Sequence, residues 1–218
     1  MLDTRLEMIY NLMPDGVMCD VGTDHCKLAC ACVLRGKSPR AFATDLREGP
    51  LSAAKKLIKE KNLSGKITPY LSDGFLNIPR IAFDVTDCFV IAGMGGELIA
   101  NIIKGRHTDK YIVAQPMTAI NELVFFLESE GYEIIKHTLC RDGDKIYNAL
   151  LVKYDGVSRT PDFYGHIEKD ELFYEYMQRE KNRVLKAIKG IEGSEKSDKS
   201  RLLPLKNLLE IIDKEILQ

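Results

Sequence analysis

Apolar positions change their spacing along the chain, and each change marks a different kind of element. Over residues 3–13, Asp3 is followed by Leu6, Ile9, Tyr10 and Met13. This spacing predicts an amphipathic helix with an acceptor at its start, ended at Pro14-Asp15-Gly16. Beyond it the apolar residues come in short runs: VMCDV (17–21), AFATD (41–45), ITPYLS (67–72), DCFVIA (87–92) and YIVAQ (111–115). Each is partly β-branched or aromatic and bounded by Gly, Pro or Asp, as strands are. Helical patterns at 26–35, 50–61, 96–104 and 119–130 lie between the runs, with Gly131 as a stop for the last. Strand alternating with helix predicts right-handed crossovers and a parallel sheet.

The alternation then breaks. EIIKHTLC (133–140) and KIYNALLVKY (145–154) are joined by only Arg141-Asp142-Gly143-Asp144, a hairpin loop too short for a parallel crossover. The last two strands are therefore expected to be antiparallel. After Asp155 the pattern becomes helical again, with Phe173, Met177, Val184, Ile188 and Ile191 in one stripe and Leu202, Leu205, Leu209, Ile212 and Ile216 in another. Two helices, about 162–189 and 199–217, are predicted, joined by the polar loop GIEGSEKSDKS and folded as an antiparallel, coiled-coil-like hairpin. Pro204 should lie in the first turns of the second or kink it. The fold expectation is an α/β domain over 1–154, with a seven-stranded sheet whose last two strands form a hairpin, followed by a helical hairpin over 155–218.

Composition narrows the class without changing the architecture. The 218 residues are 45% hydrophobic and 29% charged, ordinary for a globular protein with a sizeable core. Thirty-one Lys and Arg against 32 Asp and Glu give a net charge of −1, so any polyanion partner must be held by a local basic face. No run approaches the ~18 apolar residues of a membrane span, and the N-terminus lacks the apolar region of a secretory signal, which predicts a cytoplasmic protein. Four of the six cysteines crowd into 19–32, unlike a disulfide framework, and are expected to be reduced.

Chemistry concentrates where the strands end. Asp20-Val-Gly22-Thr23-Asp24-His25 falls between the first strand and its helix, the crevice in which open parallel sheets bind ligands. An acid, Asp24, stands where a dinucleotide fingerprint has its second Gly, so a pyrophosphate would meet a carboxylate; a cationic or hydroxylated ligand suits the site better. Asp45, 23 residues after Gly22, ends the second strand near the offset at which an acid accepts from a ribose. Ser72-Asp73-Gly74 ends the third. Singly, each Asp is an ordinary turn or cap residue; together on one edge they suit an adenosine carrying a sulfonium. The fourth strand runs into Ala92-Gly93-Met94-Gly95-Gly96-Glu97, either a close backbone approach to a ligand or simply a tight strand-to-helix turn. At the end of the fifth strand, the Gln115 amide, followed by Pro116, could hydrogen-bond a base.

These motifs resemble the TrmK family, bacterial class I S-adenosylmethionine-dependent methyltransferases that modify N1 of adenine 22 in tRNA. The resemblance rests on DVGTDH (20–25), DLREGPLSAAK (45–55), SDGF (72–75), IAGMGGELI (91–99), AQP (114–116) and GDKIYNALLV (143–152), in unbroken order over about 1–154. It implies a Rossmann-like class I methyltransferase sheet and S-adenosylmethionine as cofactor. Asp20, Gly22, Thr23, Asp24 and His25 would line its methionine side, Asp45 and Leu46 its ribose, and Asp73 with Gly74 its adenine. Gly93, Met94 and Gly95 would border cofactor and target base, with Met94, Gln115 and Pro116 on the base side. Asp24 is the candidate for a catalytic contribution, since it could stabilise positive charge moving from sulfur onto the base. His25 is either a base or, more simply, a positioned hydrogen-bonder. Where the family reads Ala-Tyr-Leu-Pro after the His, this chain has Cys26-Lys27-Leu28-Ala29.

The remaining features read more plainly. Cys26-x3-Cys30-x-Cys32 is one residue short of an iron–sulfur spacing and fits buried small side chains, while His107, His137 and His166 show no ligand spacing, so no metal is expected. Arg179, Lys181, Arg183, Lys186 and Lys189 form either a solvated face or a phosphate-binding stripe for tRNA, with Arg179, Arg183 and Lys186 as the chosen contacts and Lys55, Lys56 and Lys59 as further candidates. A monomer or weak dimer is expected. Alternatives are a methyltransferase for a small molecule or protein, a non-catalytic cofactor-binding module and, most weakly, a nicotinamide enzyme.

Overall fold

A computed structural model describes residues 1–193 and 198–217. The chain forms two compact units, Met1–His166 and Ile167–Gln218. In the first, α1 (Thr4–Leu12) precedes an alternation of β1 (Met18–Val21), α2 (Lys27–Leu34), β2 (Ala41–Asp45), α3 (Glu48–Glu60), β3 (Ile67–Leu71), α4 (Arg80–Val85), β4 (Cys88–Gly95), α5 (Gly96–Ile103), β5 (Tyr111–Thr118) and α6 (Ile120–Ser129). The hairpin β6 (Tyr132–Asp142) and β7 (Lys145–Tyr154) follows. The seven strands run in the order β3-β2-β1-β4-β5-β7-β6. The first five are parallel and the last two antiparallel, with Ile112 opposite Val152 and Ile134 opposite Val152.

Central strands of such a sheet are covered on both faces, so neighbouring residues enter different cores. Met18, Ala43, Val90 and Val113 pack with Ile9, Leu28, Ala54 and Ile58 of α1, α2 and α3. Cys19, Phe42, Phe89, Ile91 and Ile112 pack with Ala82, Ile99, Ile103, Leu123 and Leu127 of α4, α5 and α6. The cysteines of 19–32 are buried and free among these apolar side chains, and burial raises the Cys19 thiol well above its ordinary range. Asp3 caps α1, accepting from the Leu6 N–H at 2.8 Å. The helix lies against β6 and β7, which brings its first turn to the edge where β1 and β4 end.

Three differences from the sequence reading in this first unit have local causes. The helix α4 has no counterpart in the periodicity: it is six residues long, follows Pro79, and only Ala82 in it is fully buried. The strand β4 continues to Gly95 and β5 to Thr118, so AGMGG is not a simple turn; it keeps pairing through two register breaks, Met94 opposite Pro116 and Gly95 opposite Thr118. The segment 155–166 belongs with the sheet unit rather than with the C-terminal helices. The buried Glu128 carboxylate ties it down, accepting from the Asp162 N–H at 2.7 Å and lying 3.4 Å from His166 Nε2.

The second unit is α7 (Glu171–Glu192), a short 3-10 turn at Lys199–Arg201, and α8 (Leu202–Leu217). The helix α7 starts at Glu171, later than the expected 162, because Asp170 caps it by accepting from the Phe173 N–H at 2.8 Å. Residues 194–197 of the joining loop lie outside the described residues. Ion pairs Lys169–Glu215 at one end and Lys206–Glu192 at the other set the two helices antiparallel. Pro204 falls in the first turn of α8, where its missing N–H has no helical partner to lose. Among the described residues no helix is long and apolar enough to cross a membrane.

Candidate active site

The strand order reverses direction between β1 and β4, and a cleft of about 610 Å³ opens there at the carboxyl edge of the sheet. Asp20, Gly22, Thr23, Asp24, His25, Asp45, Leu46, Asp73, Gly74, Gly93 and Met94 all line it. Three carboxylates from the ends of three successive strands thus meet around one space. Gly95, Gln115 and Pro116 do not reach the lining.

The β1 loop is shaped by its backbone. Gly22 adopts φ +74, and its N–H and that of Thr23 both donate to the Thr44 carbonyl at 2.8 Å, tying the loop to β2. A side chain at position 22 would run into the Met94 methyl, so glycine leaves the loop room to lie against β4. Asp24 and Cys26 also take left-handed conformations, at φ 51 and 58. Strain of this kind on non-glycine residues concentrates at ligand clamps. It turns the Asp24 and His25 side chains outward, largely exposed, with His25 Nε2 3.7 Å from Asp24 Oδ1.

Asp20 and Asp45 are the buried acids of the cleft. Asp20 accepts from Thr23 Oγ1 at 2.6 Å. Burial pushes its carboxyl up to about 6 against the Thr23 hydrogen bond; Asp45 and Asp24 add to the rise and Arg5 offsets part of it. Asp45 accepts from the N–H of Arg47 at 2.9 Å and from that of Asp24 at 3.4 Å. Its own carbonyl accepts from the Ser72 N–H at 2.9 Å, which ties the end of β3 to the end of β2. Ser72 Oγ donates to the Gly74 carbonyl at 2.9 Å and shapes the turn that carries Asp73. Gly74, at φ +53, packs beside Ile102 of α5.

Gln115 is fully buried, and its amide is occupied within the protein. Oε1 accepts from Arg5 Nη1 at 2.8 Å and from the Gly93 N–H at 3.1 Å, while Nε2 donates to the Pro116 carbonyl at 2.8 Å. The structure therefore makes Gln115 a support for the glycine-rich segment, with no donor or acceptor turned to the cleft.

Several lining residues carry no site signal in the sequence: Asp3, which caps α1, Arg5 and Leu6 from α1, Arg47, and Leu98 with Ile102 from α5. No spacing rule connects α1 to the strand ends; only its packing on β6 and β7 brings it there. In the second unit, Arg179 pairs with Glu175, Arg183 with Glu180 and Lys181 with Asp213, and Lys186 is exposed.

An open sheet, a cleft at its switch point and acids on successive strand tips define a class I methyltransferase, and residues 2–150 match the methyltransferase domain family. The chain is 30% identical over 195 residues to the tRNA (adenine(22)-N(1))-methyltransferase of Bacillus subtilis strain 168, spanning 84% of this chain and 77% of that protein. The crystal structure of the B. subtilis m1A22 tRNA methyltransferase TrmK superposes with a TM-score of 0.83 at 25% identity over 99% of both chains. Streptococcus pneumoniae Sp1610 in complex with S-adenosyl-L-methionine gives 0.83 at 26% identity over 100% of both. The chain belongs to the TrmK family of tRNA adenine-N1 methyltransferases.

Proposed function

We propose that this protein transfers the methyl group of S-adenosylmethionine to N1 of adenine 22 in tRNA, in the cytoplasm, as a monomer or weak dimer. The observation that carries the reading is the convergence of Asp20, Asp45, Asp73 and the Gly93–Met94 backbone on one cleft. The residues present fit the cofactor: Asp20, a buried acid with no ion pair among the described residues, suits an ammonium group, Asp45 suits ribose hydroxyls, and Gly74 and Ile102 line the cleft where adenine would lie.

S-adenosylmethionine supplies the electrophilic methyl carbon on a sulfonium. Adenine N1 carries a free lone pair, so the protein aligns and desolvates the reactants and needs no strong base. As the N–C bond forms and the C–S bond breaks, positive charge passes from sulfur to the ring. Asp24, held at the mouth of the cleft by the left-handed loop, is the carboxylate suited to follow that charge. Met94, pressed against Gly22, forms a wall for a base swung out of the tRNA.

The assay mixes protein, labelled cofactor and unmodified tRNA and maps the methyl group by mass spectrometry; methylation elsewhere, or none, would overturn the reading. The exposed basic face of Arg179, Arg183 and Lys186 is read as a phosphate contact. Replacing the three by Ala should weaken tRNA binding and lower its salt slope by up to about 3, with cofactor affinity unchanged. Unchanged tRNA affinity would assign that face to solvent.

The raised Asp20 carboxyl gives a pH signature. In the free protein it is protonated below about 6, whereas a cationic ligand draws out the carboxylate form. Binding then releases a proton, and cofactor affinity rises from about pH 5 to about pH 7 before levelling. Calorimetry in buffers of different ionisation enthalpy reads the proton directly, and Asp20→Asn should flatten the profile.

A further inference from the structure

The net charge of −1 is unevenly placed along the chain. Residues 40–66, which span β2, α3 and the approach to β3, carry seven Lys and Arg against Asp45, Glu48 and Glu60, a net +4. Of those acids Asp45 is buried in the cleft. All seven cations are exposed, and among the described residues only Lys56 has an acidic partner, Glu60 at 4.0 Å. The C-terminal unit differs: residues 167–218 hold eleven cations and eleven acids, and Glu175, Asp213 and Glu180 engage Arg179, Lys181 and Arg183. A polyanion therefore meets uncompensated charge on the β2–α3–β3 flank and largely compensated charge on α7.

The fold arranges that charge as a line. Leu51, Ala54 and Ile58 turn the apolar side of α3 inward, which leaves Lys55, Lys56 and Lys59 on its outer face. Arg47 precedes the first turn of α3 and lines the mouth of the cleft. At the other end of the helix, about 20 Å away by helical rise, Lys61 follows the last turn. There the Ala41 N–H donates to the Lys66 carbonyl at 2.9 Å, which sets Arg40 and Lys66 side by side before β2 and β3. β3 ends the sheet, so no further strand covers this flank. The cleft itself is lined by carboxylates, Asp24 and Asp73 among them, and repels phosphate. A nucleotide can enter it base-first only if its backbone is held outside by cations.

We propose that the β2–α3–β3 flank is a track for the tRNA backbone, with Lys55, Lys59, Lys61 and Lys66 on its phosphates and Arg47 leading it to the cleft mouth. This rests on the tRNA methyltransferase reading and gives the substrate a course over the sheet unit. Contacts of this kind position the RNA without reading its bases.

The test titrates the full chain with unmodified tRNA across a series of salt concentrations, comparing wild type with Lys55→Gln/Lys59→Gln/Lys66→Gln and with the same three positions changed to Arg. The Gln variant should lower the salt slope by about 2–3 and raise the KM for tRNA about tenfold or more, with S-adenosylhomocysteine affinity at the wild-type value. The Arg variant should keep the wild-type slope. If the Gln variant melts early, Lys59→Gln alone reads the same effect as a slope lower by about 1. The proposal is overturned if slope and KM stay at wild type, if S-adenosylhomocysteine affinity falls in parallel, or if the Gln variant loses binding to phosphatidylserine vesicles and not to tRNA. A wild type that binds tRNA, with the slope reduced in the Gln variant, but leaves adenine 22 unmethylated keeps the track and removes the methyltransferase reading. A wild type that does not bind tRNA removes both.

Discussion

Asp45→Ala is expected to weaken cofactor binding by about 100-fold or more, because one carboxylate serves two purposes. Toward the ligand, it is the strand-end acid that we propose accepts from the ribose, and hydrogen bonds to a charged group contribute about 1.5–3 kcal/mol each. Toward the protein, it accepts from the N–H groups of Arg47 and Asp24. Alanine therefore removes the ligand's acceptor and also releases the left-handed Asp24 peptide that holds the β1 loop in shape. Asp45→Asn retains an amide oxygen and should fall between Ala and wild type. Titration with S-adenosylhomocysteine measures the effect. A loss below about threefold in a variant that melts like wild type would place the ribose elsewhere in the cleft.

The sheet and the acids at its edge were legible because both obey local rules. Strand-end residues Asp20, Asp45 and Asp73 follow runs whose length and composition fix where a strand stops, and parallel topology then puts all three ends on one side. What was not legible depends on contacts distant in sequence. Arg5 reaches the cleft only because α1 packs on the last hairpin, and the Gln115 amide is taken up by Arg5 and Gly93, partners that no local spacing reveals. Helix α4 is too short to show a period, and the start of α7 is set by the Asp170 cap rather than by any change in hydrophobic spacing. The segment 155–166 carries no strong apolar pattern; a buried carboxylate, Glu128, draws it to the sheet unit.

The glycine-rich segment joins these two levels. Its spacing suggested either a ligand approach or a turn, and the structure gives it a third character, a bulged continuation of the sheet. The bulges aim Gly93 and Met94 into the cleft while Gly95 and Gly96 stay against β5. Function and packing divide the same five residues between them, so substitutions along the segment should fail for different reasons.

Gly96→Ala isolates the packing half and should produce a large stability loss for a single added methyl. A Cβ at Gly96 would lie 2.9 Å from the Ala119 carbonyl carbon and 3.0 Å from the Thr118 oxygen, with the Ala119 oxygen nearer still. All three are backbone atoms, and no rotamer change can move them aside. Ala119 is itself held left-handed at φ 56 where α6 begins, so the strap has little room to retreat. Overpacking of this kind costs about 1–3 kcal/mol or more, seen as a lower urea midpoint. Because β4 and β5 would have to part beside Met94, cofactor affinity should fall together with stability. Gly190→Ala is the control: it lies within α7 with no atom near its Cβ, and there alanine should stabilise by up to about 1 kcal/mol through helix propensity. Equal, small effects at the two positions would mean that the Ala119 strap yields, and that the close approach of β5 to Gly96 does not hold the cleft in shape.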